Sequence, residues 1–219
     1  MMDYEQLLGL LRSRRSIRRF ADQPISREDL TRLLEAARWA PSNHNRQPWR
    51  FLVLDDRERI RGLAKSVGQS LAVKLKSLPV LASAYAGDLA HYGTLFAQAP
   101  VVIVALHKHP VSVSAVLLEG LPNPGLVSGE PLSVAMAVQN LLLAAQALGL
   151  GACVMTAPLL VQDAVASALR LPAGHDLTCF VALGYPAESP EPPRRKKLEQ
   201  CCEYIDDDDR TDHDRDRDL

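Results

Sequence analysis

The feature that most constrains the fold is residues 132–148, LSVAMAVQNLLLAAQAL, which read as a helix apolar on nearly every side. A helix with one apolar stripe lies on a surface, whereas one that is apolar all round needs cover from more than one direction. Pro131 opens the segment, and Gly149 and Gly151 stop it. No apolar run in the chain approaches the roughly 18–20 residues that cross a bilayer, so the cover is expected to be protein.

The rest of the sequence supplies that cover. Residues 4–12 read as a short helix with leucines on one face. Ser26 and Asp29 form a capping-box pattern, followed by Leu30, Leu33, Leu34 and Ala37 at helical spacing. Pro41 ends that helix, and 41–48 is a polar loop between two prolines. RFLVL (50–54), the β-branched run PVVIVAL (100–106), ACVMT (152–156) and TCFVALG (178–184) are strand candidates, with further helices from about 57 and over 161–170. Residues 107–131 carry four prolines and three glycines without a period and are expected to form a functional lid. Helices mixed with four or five strands predict a single α/β or α+β domain with a mixed sheet over 1–205. The almost fully charged 206–219 is expected to be a disordered acidic tail.

Bulk properties narrow the function. The chain has 219 residues, 47% hydrophobic and 23% charged, enough for one domain with a substantial core. A net charge of −1 provides no overall field toward nucleic acid or an anionic membrane, so neither is expected as a partner. Asp3, Glu5 and an arginine cluster occupy the first twenty residues, unlike a targeting signal. Cys153, Cys179, Cys201 and Cys202 form no CxxC pair and read as buried, reduced core thiols, pointing to the cytoplasm. His107 and His109 lie in a segment without paired carboxylates, and no metal site is expected.

Four constellations remain. SRRSIRRF (13–20) packs Arg14, Arg15, Ser16, Arg18 and Arg19 closely, and guanidinium forks with a hydroxyl match phosphate oxygens. A solvated helix end and a nucleic-acid patch are the alternatives, the second opposed by the lack of interleaved aromatics. RRKK (194–197) is a second, remote cationic cluster that reads either as another half of a phosphate site or as a surface linker. PSNHNRQPW (41–49) offers the carboxamides of Asn43, Asn45 and Gln47, which both donate and accept, with Trp49 as anchor. GLGACVMTAP (149–158) has helix before glycines and strand after, the reverse of a dinucleotide turn, and lacks the third glycine.

In this order the four segments resemble the nitroreductase family of flavoproteins, over about residues 6–205. The resemblance implies an α+β sandwich, a mixed central sheet flanked by helices, and a domain-swapped type of homodimer with two FMN molecules. It implies that Arg14, Arg15 and Ser16 bind the phosphate and ribityl end and that Arg18 approaches N1 and O2 of the ring. It further implies that Asn43, Asn45 and Gln47, with Pro41 and Ser42 beside them, come from the partner subunit. Val154, Met155, Thr156 and Ala157 would face the ring near N5, and Arg195 with Lys197 would close on the phosphate. Chemistry would reside on FMN, with no separate catalytic side chain and with Arg18 tuning the ring. The implied activity is transfer of electrons from NADH or NADPH to a small acceptor such as a nitroaromatic or quinone. Reductive dehalogenation, desaturation, flavin breakdown and low-turnover flavin binding are the alternatives on the same fold. The chain departs from many members at Thr156 or a neighbour, where an acidic residue is common.

Overall fold

The computed structural model describes residues 3–76, 86–109 and 129–205. Six α-helices and four β-strands appear among them, in the order α1 (Tyr4–Ser13), α2 (Arg27–Arg38), β1 (Trp49–Leu54), α3 (Arg57–Lys76), α4 (Ala86–Thr94), β2 (Val101–Lys108), α5 (Gly129–Ala147), β3 (Gly151–Met155), α6 (Gln162–Leu169) and β4 (His175–Gly184). Most of the expected lid, 110–128, and the whole of 206–219 lie outside the described residues.

The strands form one sheet in the order β1-β2-β4-β3, and every named pair is antiparallel. The expected mixed character is confined to a single parallel bridge between Ser16 and Ala152, at the β3 edge. The arginine segment is too short there to become a strand, because Phe20 already turns to an antiparallel bridge with Pro186.

Period-2 alternation fills both faces of the sheet. Val101, Ile103, Ala105, Cys179, Val181 and Leu183 face a core built with α2 and α5. Val102, Val104, Leu106, Phe180 and Ala182 face a second core built with α3, α6 and Phe96. Helices on both sides of a largely buried antiparallel sheet make an α+β sandwich.

Helix boundaries follow local chemistry. Asp3 caps α1 by accepting the Gln6 N–H at 2.8 Å, while the Gln6 side chain accepts the Asp3 N–H at 3.0 Å. Ser26 caps α2 through the Asp29 N–H, but the Asp29 carboxylate takes the serine hydroxyl instead of completing the box. The α5 helix ends when Gly149 adopts φ +73° and the Leu150 N–H reaches back to the Ala145 carbonyl at 2.8 Å.

The α5 helix is covered less completely than its composition predicts. Val134, Ala137, Val138, Leu141 and Ala145 are buried, but Leu132, Ala135 and Met136 are exposed along a stripe. In α1 no residue is buried, and Leu7 and Leu11 stand open as well. Among the described residues no helix is long and apolar enough to cross a membrane.

Candidate functional site

Gly151 brings the first constellation onto the fourth. A Cβ at Gly151 would lie 2.7–2.8 Å from Ile17 side-chain atoms, so only glycine lets the arginine segment pack against β3. The Ile17 N–H then donates to the Ala152 carbonyl at 3.0 Å. On its other side the segment runs along the chain leaving β4, with Ala21 N–H to Tyr185 O and Ala187 N–H to Arg19 O both at 2.9 Å.

This packing opens a cleft of about 190 Å³ lined by Arg18, Tyr92, Leu95, Cys153, Val154, Met155, Thr156 and Ala157. Arg18 and the four residues that follow Cys153 thus line one cleft. Tyr92, Leu95 and Cys153 are additions that the sequence pattern does not single out. Burial pushes the Cys153 thiol up; Arg18 opposes this, Glu188 adds to it and Arg14 opposes it, so both arginines bear on the cleft. The Arg18 guanidinium also donates to the Ser16 carbonyl at 3.4 Å.

Arg15 faces elsewhere. Its Nη1 donates to the carbonyls of Arg12 at 2.6 Å and Arg14 at 2.9 Å, closing the end of α1, and it lines a separate recess with Gly149 and Glu188. Arg14 is half-buried, and its guanidinium has no ion pair among the described residues. Arg195 and Lys197 lie on an exposed arm, 191–205, and neither lines the cleft among the described residues.

The amide loop stands apart. Residues 42–47 lead into β1, which lies three interstrand steps from β3 and hence roughly 14 Å across the sheet. Three non-glycine residues in it take positive φ, namely His44 at 50°, Asn45 at 52° and Gln47 at 48°. Ser42 Oγ accepts the Gln47 N–H at 3.0 Å, and Gln47 Nε2 donates to Asn45 Oδ1 at 3.3 Å. Pro41, Asn43, Asn45 and Gln47 are exposed, while Trp49 packs against the α2–α5 core as its anchoring role requires.

Two expectations are corrected. Cys153 and Cys179 are buried, but Cys201 and Cys202 are exposed, because the chain beyond Pro190 leaves the core and residues 191–205 are all exposed. His107 and His109 do have a carboxylate partner: cross-strand pairing places Asp176 Oδ2 3.0 Å from His109 Nε2 and 4.0 Å from His107 Nε2. Among the described residues no group of three or more such side chains is arranged to hold a metal ion.

The nitroreductase family model matches residues 11–185. The chain belongs to the nitroreductase family. An NADH dehydrogenase of Thermus thermophilus is 31% identical over 196 residues, covering 85% of this chain and 90% of the relative. A solved BluB-like flavoprotein from Clostridium difficile shares the fold with a TM-score of 0.80, at 24% identity over 94% of this chain and all of the other. A nitroreductase solved with bound FMN, from Bacteroides fragilis, gives a TM-score of 0.70 at 21% identity, over 92% and 99% of the two chains. These two structures bear on the fold.

Proposed function

We propose that this nitroreductase-family chain is an FMN-dependent oxidoreductase that passes electrons from NADH or NADPH to a small acceptor, working as a homodimer. The observation that carries the reading is the docking of the arginine segment on β3, which puts Arg18 in one cleft with residues 153–157.

The donor set fits the cofactor. The half-buried Arg14 guanidinium and the Ser16 hydroxyl offer a charge-assisted and a neutral donor for a phosphate. Arg15 stands behind them and fixes the end of α1. Arg195 and Lys197 add positive charge from the arm. The amides of Asn43, Asn45 and Gln47 match the alternating acceptors and donors of a pyrimidine edge. When bound, FMN supplies two-electron chemistry, gaining negative charge near N1 and O2 on reduction. Arg18 would supply positive charge at that locus, and residues 154–157 line the same cleft. A nicotinamide electron donor is supported by the Thermus thermophilus relative, an NADH dehydrogenase.

Two copies are needed because one chain separates the amide loop from the cleft by most of the sheet's width. A second copy would cover Leu132, Met136, Leu7 and Leu11, and would give the arm, with its exposed Leu198, Tyr204 and Ile205, a surface to rest on.

The test is reconstitution. Apoprotein titrated with FMN should bind it in a one-to-one ratio per chain, and riboflavin, which lacks the phosphate, should bind far more weakly. No saturable FMN binding would overturn the reading.

A further inference from the structure

We propose that the first turn of α5 is a seat that holds the amide loop in its flavin-facing form, with Glu130 as a positioning residue acting through Arg46. The inference rests on the flavin reading above.

Glu130 is 3% exposed, one of few buried polar side chains among the described residues. Its carboxylate is paired with Arg46 Nη1 at 3.1 Å, and Arg46 belongs to the amide loop. A buried carboxylate is tolerated when paired, and removing its partner leaves an uncompensated charge. The position at a helix N-terminus favours the negative charge further. One turn along, Ser133 Oγ accepts the Asn43 N–H at 3.2 Å while donating its own hydrogen to the Gly129 carbonyl at 2.6 Å. Gly129 completes the seat, since a Cβ there would lie 2.8–3.0 Å from Asn43 Nδ2, Cβ and Cγ.

The loop requires such a seat. His44, Asn45 and Gln47 hold left-handed conformations that side-chain-bearing residues disfavour, so a restraint from outside must compensate. Bonds within the loop, Asn45 N–H to Ser42 O at 2.9 Å and Arg46 N–H to Asn43 O at 3.0 Å, set its shape. The contacts to Glu130 and Ser133 set its place relative to the sheet. A group that reads a ring edge through hydrogen bonds depends on placement, so a loosened seat weakens recognition without touching any ligand contact.

The experiment is a double-mutant cycle read as the FMN dissociation constant, with the melting temperature of each apoprotein measured alongside. Glu130→Gln keeps the shape and loses the charge; Arg46→Gln removes the other partner. Each single variant is expected to bind FMN about tenfold more weakly, and the double variant no worse than the weaker single, as for residues acting through one contact. Exchanging the pair, Glu130→Arg with Arg46→Glu, should recover part of the affinity, a rescue that a general loss of fold does not produce. Ser133→Ala should weaken binding in the same direction. Additive losses, or unchanged FMN affinity with a lowered melting temperature, would overturn the proposal and leave the flavin reading intact. Wild-type protein that binds no FMN overturns that reading, and this inference with it.

Discussion

Glu188 Oε1 accepts the backbone N–H of Arg18 at 2.5 Å, tying the chain that leaves β4 to the arginine segment 170 positions earlier. The Arg19 N–H reaches the same oxygen at 3.1 Å. The carboxylate thereby occupies the backbone donors and leaves the Arg18 guanidinium on the cleft side.

Arg18 should therefore set redox behaviour more than affinity. Under the proposed assignment its charge would act where negative charge develops only on reduction, which is differential stabilisation. Arg18→Gln is expected to retain FMN, lower its midpoint potential and slow reduction by the nicotinamide. An unchanged potential in a redox titration contradicts the assignment, and wholesale loss of flavin places Arg18 with the phosphate instead.

Arg14→Ala and Arg195→Ala should each weaken FMN binding roughly tenfold to a hundredfold, the size of one charge-assisted contact. Fluorescence titration measures this directly. Wild-type affinity in both variants removes the phosphate assignment.

Light scattering at micromolar concentration should give the mass of a dimer. Obligate interfaces bury more than about 2,000 Å², and Leu132→Asp with Met136→Asp places two charges in the open stripe of α5. The paired variant is expected to be monomeric and depleted of flavin. A wild-type monomer that retains flavin contradicts the shared site.

Much of this was legible in the sequence because the informative residues act locally. The strands β1–β4 follow from β-branched runs, and α2 from its cap and periodicity. Gly149 and Gly151 were readable as a stop, but the reason for Gly151 lies in Ile17, far away in sequence. Glu188, Tyr92 and Leu95 reach the site only through tertiary packing and carry no spacing signature. Glu130 left a trace, an acidic residue just before an otherwise apolar helix, yet its meaning depends on Arg46 being folded onto it. The exposure of Cys201 and Cys202 was missed because an arm that packs outside its own core looks, in sequence, like any other segment.

Burial pushes the Cys179 thiol up to about 12 from an ordinary value of 9.0. A group whose ionisation is suppressed by folding stabilises the fold below its unfolded value and loses that contribution as pH rises. Stability should therefore fall between about pH 9 and 12, by as much as about 1.4 kcal/mol per pH unit from this group. Cys179→Ala should flatten that part of the profile in chemical denaturation. An identical alkaline slope in the variant contradicts the burial account. Cys179 and Cys153 should also resist alkylation at pH 8 until the protein is denatured.

The central claim is tested most directly by mixing FMN-loaded protein with NADH or NADPH under strictly anaerobic conditions and following the visible absorption of oxidised flavin. The account predicts rapid, stoichiometric bleaching with at least one of the two donors, and return of the absorption when a quinone or nitroaromatic is added. Absorption that persists with both nicotinamides would contradict an oxidoreductase driven by them.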